Sequence, residues 1–502
     1  MKAKKIAVIA FSASFLLPSL TMLSGCASND IILRVYNWEE YIDVGGEDSY
    51  AATEEDPEPL SVVKEFEKWY EETYGASIRV EYSTFGTNED MYNQLKLGNT
   101  YDLVCPSEYM IMKLAAEGML EPLSDEFHDP EKENNYYAQY VSDFIAERFE
   151  AEFDIKGTKH KWKDFAAGYM WGTTGLIYNP SLVNETDLAE GWEIMLNPDY
   201  RNKVTAKDNV RDTYFVGLAI YHKMELLNLK QRFEAQEISR QEYTREVTRL
   251  MNDTTEETIK NVQKILLDIK KNIFGFETDT GKSDMVTGKI RLNFAWSGDG
   301  VYAMDLAEEK GVLLNYYIPQ ESANLFFDGW VMPKGAKTEA AEAFINFMSK
   351  PEIAVRNMDY IGYSSVIAGE EIFEYTLETY GADEDEEETV EYDLSYFFGE
   401  NAVITAAKEQ MNRQLYAQYP PEEVTYRCAV MDHFGEDDAK INELWTKVKS
   451  ESLDGWAIAV ICIAAAVIVA VVLLSKFGGK IDIFRPKPKK GYELVKQESL
   501  RK

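Results

Sequence analysis

Aromatic rings set beside carboxylates recur along this 502-residue chain. In "RVYNWEEYI", Trp38 closes an apolar run and is followed by Glu39, Glu40 and Tyr41. "CPSEYM" carries Ser107 and Tyr109, "WSGDG" places Trp296 three residues before Asp299, "FFDGW" holds Phe326 and Asp328, and "IGYSS" offers Tyr363. Ring faces and carboxylates together suit an organic cation. A cation over a ring gains about 0.5–2 kcal/mol, and a charge-assisted hydrogen bond to a carboxylate adds about 1.5–3 kcal/mol. The same letters also describe strands that end at a surface, so residue type alone leaves both readings open.

Conventional catalytic machinery is scarce. There are four histidines, and neither H-E-x-x-H nor G-x-S-x-G occurs. "GFETDTGKS", Gly275 to Ser283, imitates a phosphate loop but has one residue too many between its glycines, and Glu277 and Asp279 would repel phosphate. It reads as a turn. The run "ADEDEEETVEYD" lacks the glycine and spacing of an EF-hand and reads as a solvated loop. No metal or cofactor is assigned.

The elements that must carry these residues alternate. "IILRVYN" reads as a strand, "LSVVKEFEKWYEETYG" as a helix stopped by Gly75, and "SIRVEYS" as a strand. "NEDMYNQLKLG" follows as a short helix, "YDLVCP" as a strand and "EYMIMKLAAEGML" as a helix. This βαβ order predicts a parallel sheet, with ligand residues such as Trp38 and Ser107 just beyond strand ends. "YMWGTTGLIYNP", "KIRLNFAW" and "FFDGWVMP" read as further strands. A helical hairpin lies between about residues 221 and 272, its inserted part near 224–252. "TEAAEAFINFMSKPEIAVRNMDYIGYSS" reads as two helices divided at Pro351.

The charge balance is strongly acidic, with 87 Asp and Glu against 52 Lys and Arg. That disfavours nucleic acid, which requires basic surface, and gives a screened long-range attraction for cations. The two ends are different. "MKAKKIAVIAFSASFLLPSLTMLSGC" is basic and then apolar, as in a secretory signal over residues 1–25, and "LSGC" resembles a lipobox that would leave Cys26 lipidated. Residues 456–474 carry no charge and are long enough for a transmembrane helix. The tail 476–502 has nine Lys and Arg against three acids, which predicts a cytoplasmic tail and an external body. Of the four cysteines, Cys26 is assigned to lipid and Cys462 to the apolar run, and Cys105 and Cys428 are expected to be free thiols.

Read together, "YNWEEY", "YSTFGTNEDMYNQL", "YDLVCPSEYM", "MWGTTGLIYN", "WSGDG", "FFDGWVMPKGAK", "AFINFMSKPEIA" and "IGYSS" resemble, in order, the extracytoplasmic solute-binding proteins of bacterial ABC importers. Within them the likeness is to the spermidine/putrescine-binding family, from about Ile31 to Lys449. The resemblance implies an α/β, two-lobed, type II-like periplasmic-binding-protein fold over residues 26–450. Lobe 1 would take about 31–145 plus a later return, and lobe 2 about 165–325. It implies a non-enzymatic chain that captures a polyamine between the lobes and delivers it to permease subunits served by an ATPase. It also implies ligand-binding roles for Trp38, Glu40, Tyr41, Ser107, Tyr109, Asp212, Trp296, Asp299, Phe326, Asp328 and Tyr363. Two departures stand out. Phe326 stands where many relatives have Trp, and Asn209 stands where relatives have an acid, which puts the preference among polyamines in question. An anchored receptor or sensor for another small organic cation is the alternative.

Overall fold

The computed structural model describes residues 31–155 and 158–450, with residue 463 as an isolated position. The described residues from Ile31 to Trp445 form one compact unit. Its first strand, β1 (Ile31–Trp38), pairs in parallel with β2 (Ile78–Phe85) along its whole length, from Ile31 opposite Ile78 to Trp38 opposite Phe85. Helix α1 (Val62–Tyr74) connects them. Ser61 caps its start by accepting from the Lys64 N–H, and Gly75, at φ 66°, ends it in the left-handed conformation. Helix α2 (Asn88–Lys96), strand β3 (Leu103–Val104) and helix α3 (Glu108–Ala116) follow, and β3 joins β1 in parallel.

The sheet is mixed, where the βαβ pattern predicts a parallel one. The reason lies in two long strands, β4 (Ala166–Tyr178) and β9 (Ala323–Pro333), in which every residue is buried. They pair antiparallel with each other, and each runs from one half of the sheet into the other. Between them in sequence come β5 (Val204–Lys207), β6 (Gly275–Glu277), β7 (Leu292–Trp296) and β8 (Asn315–Tyr317). The second half of β4 pairs with β7 and β8, while β7, β5 and β6 adjoin in parallel. The last part of β9 instead meets β3. One lobe is thus built on β1–β3 and the other on β5–β8, with β4 and β9 shared.

Helices α4 (Val210–Tyr221), α5 (Lys223–Glu234), α6 (Arg240–Met251) and α7 (Glu256–Asn272) fill the long stretch between β5 and β6. In the inserted hairpin Phe233 of α5 stacks on Tyr243 of α6, with ring centroids 4.8 Å apart. Helix α8 (Thr280–Val286) occupies the phosphate-loop lookalike, and there the Glu277 carboxylate accepts from the Gly281 N–H at 2.8 Å. An acid that would repel phosphate therefore seats the helix. Helix α9 (Ser297–Glu308) leaves β7 directly, and α10 (Thr338–Met348) and α11 (Pro351–Ile361) divide at Pro351.

The acidic run is only half loop. Residues 382–388 are largely exposed, but Thr389–Asp393 forms a strand paired with Val403–Ala407. Cys105 and Cys428 are buried free thiols. Among the described residues no helix is long and apolar enough to cross a membrane. The signal region, Cys26, the 456–474 run and the basic tail lie outside them.

Candidate functional site

Asp328 lies where β9 changes register. The pairing with β4 shifts between Asp328 and Gly329, a β-bulge that re-aims the side chain. The Gly329 N–H turns to the Pro106 carbonyl at 3.0 Å, which brings the start of α3 against the bulge. There Ser107 occupies the N-cap position without making a side-chain cap. Its hydroxyl donates instead to Asp328 Oδ1 at 2.7 Å, and the Tyr41 hydroxyl donates to Oδ2 at 2.6 Å. Ser107 thus gives up the ordinary capping bond for a carboxylate 221 positions away.

Both donors to Asp328 are neutral. Among the described residues no Lys, Arg or His forms an ion pair with it, although it is only 6% exposed. Burial pushes its carboxyl up to about 6, and the two hydroxyl hydrogen bonds only partly offset that. Rings enclose it. Tyr41 meets Tyr169 and Tyr363 edge-on at 5.5 and 5.4 Å, and Phe326 meets Tyr363 at 6.0 Å. Trp38, at the end of β1, rests on Phe85 at 4.6 Å and has a buried indole N–H with no protein partner.

Two more acids share this neighbourhood. Burial, reinforced by the charge of Asp328, pushes Glu108 up to about 8, and it accepts from the Phe327 N–H at 3.3 Å. Burial pushes Asp212 up to about 7, even though Lys207 and a Trp296 indole hydrogen bond pull it down. Asn209 is the cap of α4, accepting from the Arg211 N–H at 2.8 Å, so the position where an acid was expected serves the helix start. Tyr109 faces a different partner set. Its hydroxyl donates to Glu89 at 3.1 Å, and its ring lies 4.5 Å from the Arg211 guanidinium, a contact from α3 to α4.

The Trp296–Asp299 end is occupied by the chain itself. Lys207 Nζ lies 4.1 Å from the Trp296 ring centroid and donates to Asp299 Oδ2 at 3.0 Å. Lys282 reaches Asp299 Oδ1 at 3.3 Å, and the Tyr363 hydroxyl approaches the same oxygen at 3.4 Å. Burial raises the Asp299 carboxyl, but the two lysines outweigh it and hold the group below its usual range. Tyr363 can lie there because residue 298 is glycine, since an added Cβ would fall 1.8 Å from the ring.

The structure therefore gathers Tyr41, Ser107, Phe326 and Tyr363 around Asp328, which has no cationic partner among the described residues, and Trp296 beside Asp299, which has two, while Trp38 meets Phe85 at the end of β1. Glu40 is not brought in. It is exposed on a left-handed turn at φ 53°, near enough to Lys282 only to favour that ammonium's charge. Sequence reasoning missed Lys207, Lys282 and Glu108. Lys207 ends "VTAK", a strand whose four residues are all buried, a burial that the sequence pattern does not reveal.

A family model described as bacterial extracellular solute-binding protein matches residues 61–371. The chain belongs to that family. This solute-binding protein is 25% identical over 348 residues to the spermidine/putrescine-binding periplasmic protein of Salmonella typhimurium, covering 69% of this chain and 80% of the relative. It is 27% identical over 353 residues to the putrescine-binding periplasmic protein PotF of Escherichia coli, covering 68% and 79%. Among solved structures, the spermidine/putrescine substrate-binding protein PotD of Streptococcus pneumoniae aligns with TM-score 0.53 and 24% identity, over 84% of this chain and 99% of that one. A putative spermidine/putrescine transporter protein of Listeria monocytogenes aligns with TM-score 0.56 and 22% identity, over 84% and 99%. These neighbours establish the two-lobed periplasmic-binding-protein fold. Family membership places the solute-binding body on the outer face of the cell, and the named relatives are transport binding proteins rather than enzymes.

Proposed function

We propose that the chain is the substrate-binding component of a polyamine importer, capturing a protonated amine between its lobes and presenting the closed form to permease subunits served by an ATPase. The observation that carries this reading is Asp328, a buried carboxylate held by two hydroxyls, walled by rings and paired with no cationic side chain of the described chain. An ammonium there would receive a charge-assisted hydrogen bond and ring contacts together, and would offset the desolvation of the acid. The names of the relatives, putrescine and spermidine binders, support the same class of ligand. Closure would follow the hinge mode of binding proteins, with β4 and β9 as the shared strands. The selectivity lies in this chain, and the energy for transport in its partners.

Anchoring belongs to the same proposal. Lipid on Cys26 and a helix over 456–474 would hold the body at the outer face, with the basic tail inside. Incorporation of labelled palmitate that disappears in Cys26→Ala would support the lipid anchor, and unlabelled wild type would refute it. For the ligand, calorimetric titration of the full-length chain with putrescine, spermidine and spermine is the test. Saturable one-to-one binding supports the assignment, and the absence of heat with all three in folded protein refutes it.

A further inference from the structure

Lys207 is 2% exposed at the side chain, which is rare for a lysine and requires compensation. Its compensation is complete. The ammonium donates to the Thr278 carbonyl at 2.7 Å and to Asp299 at 3.0 Å, lies 3.8 Å from Glu277, and caps the Trp296 face at 4.1 Å. A ring, a carboxylate and a carbonyl arranged around a buried ammonium are what an amine ligand would ask of this end of the cleft. The chain supplies that amine itself. Both oxygens of Asp299 are taken, Oδ2 by Lys207 and Oδ1 by Lys282 and Tyr363. Asp212, on the same side, has Lys207 and Arg211 as neighbouring cations.

The opposite end differs in kind. Among the described residues Asp328 has hydroxyl donors and no cation, and Glu108 adds a second buried acid beside it. The two ends are therefore polarised, with an acid at Asp328 that has no cationic partner among the described residues and one at Asp299 that has two. An amine with charged groups at both ends would bring its second ammonium to a carboxylate and a ring already held by Lys207, with Lys282 beside it and Glu277 and Asp279 as the lysines' further partners, so it would have to displace a resident ammonium or go unpaired.

We infer that Lys207 is a specificity-determining residue, an internal cation that fills the Trp296–Asp299 subsite so that the cleft recognises amines through one charged end at Asp328 and an uncharged far end. The inference rests on the amine-binding reading proposed above and narrows it. It names the ligand class as mono-cationic, chain-like amines, with diamines accepted only at a cost.

Titration of the full-length protein with putrescine, monoacetylputrescine and spermidine tests this, because acetylation removes one charge and keeps the chain. Wild type should bind monoacetylputrescine at least as well as putrescine, to within about threefold. Lys207→Met, which keeps most of the stem and frees Asp299 Oδ2 and the Trp296 face, should tighten putrescine by about tenfold or more with little effect on monoacetylputrescine. Lys207→Arg should show no such gain. A wild type that prefers putrescine over its acetylated form by about thirtyfold overturns the inference and leaves the amine reading intact, and needs no variant to fold. So does a Lys207→Met protein, shown by melting to be folded, that weakens both ligands alike. No binding of any amine by wild type or variant overturns the amine reading itself, and the inference with it.

Discussion

Replacing Asp328 with Asn should raise stability and destroy affinity, a pairing that an ordinary structural carboxylate would not give. The group titrates near 6 in the folded protein against 3.8 for an unperturbed aspartate, because burial disfavours its charge. A folded value raised above the unfolded one means that the penalty is absent below about pH 3.8 and complete above about pH 6. At 1.36 kcal/mol per unit the shift corresponds to about 3 kcal/mol at neutral pH. Asn carries no charge to desolvate, but it offers one acceptor oxygen to two hydroxyl donors, Tyr41 and Ser107. The mismatch takes back about 1 kcal/mol, leaving a net gain of about 2 kcal/mol at pH 7.5 and none at pH 4. Affinity should move the other way. Loss of a charge-assisted hydrogen bond of about 1.5–3 kcal/mol weakens an amine by about 10- to 150-fold. In wild type a proton competes with the ligand, so affinity should fall about tenfold between pH 7 and pH 5, with a slope that Asp328→Asn removes. Urea unfolding and calorimetry at pH 4, 5, 6 and 7.5 read both effects. An Asn variant less stable than wild type at pH 7.5, or wild-type affinity flat from pH 5 to 7.5, would refute the reasoning.

Other perturbations follow from the same geometry. Glu108 is pushed up to about 8, so its penalty begins near pH 4.5, where an unfolded glutamate ionises, and Glu108→Gln should stabilise by about 3 kcal/mol at pH 7, by more at pH 9 and by little at pH 4. Equal unfolding midpoints for the two proteins at pH 9 would contradict this. Gly298→Ala places a methyl into the Tyr363 ring and should cost about 1–3 kcal/mol by overpacking while weakening amine binding, read by thermal melts and titration. In the β1–β3 lobe, Asp43 receives the Arg356 Nε at 2.8 Å, the Gly45 N–H at 2.6 Å and the Ser49 hydroxyl at 2.6 Å. Asp43→Ala leaves Arg356 with Glu65 as its remaining acid and should cost about 3 kcal/mol in urea unfolding.

Much of the fold was legible because local signals agreed with one another. Ser61 and Gly75 bound α1, and the strand patterns at β1, β2, β7 and β9 fall where the structure has them. What was hidden was direction. The antiparallel passage of β4 and β9 through both lobes depends on distant pairing, whereas the βαβ rhythm of the first hundred residues speaks only for its own half of the sheet. The half-structured acidic run was hidden for a similar reason, since the partner of Thr389–Asp393 lies beyond a turn in a segment with no charge cue.

The site divides the same way. Tyr41, Ser107 and Asp328 could be singled out by motif, but their meeting through two hydroxyl bonds depends on a bulge that no spacing reveals. Glu40 was picked for its neighbours in sequence, and a left-handed turn carries it outward. Lys207 escaped notice because a lysine at a strand end ordinarily reaches for water, and only the tertiary approach of Trp296 and Asp299 turns it inward.

If an amine binds by placing its charge on Asp328, a crystal structure of the protein with bound putrescine or monoacetylputrescine should show an amine nitrogen within about 3 Å of an Asp328 carboxylate oxygen, with Lys207 still on Trp296 and Asp299. An ammonium bound at Asp299 with Lys207 displaced, and Asp328 left with only its two hydroxyls, would contradict that placement.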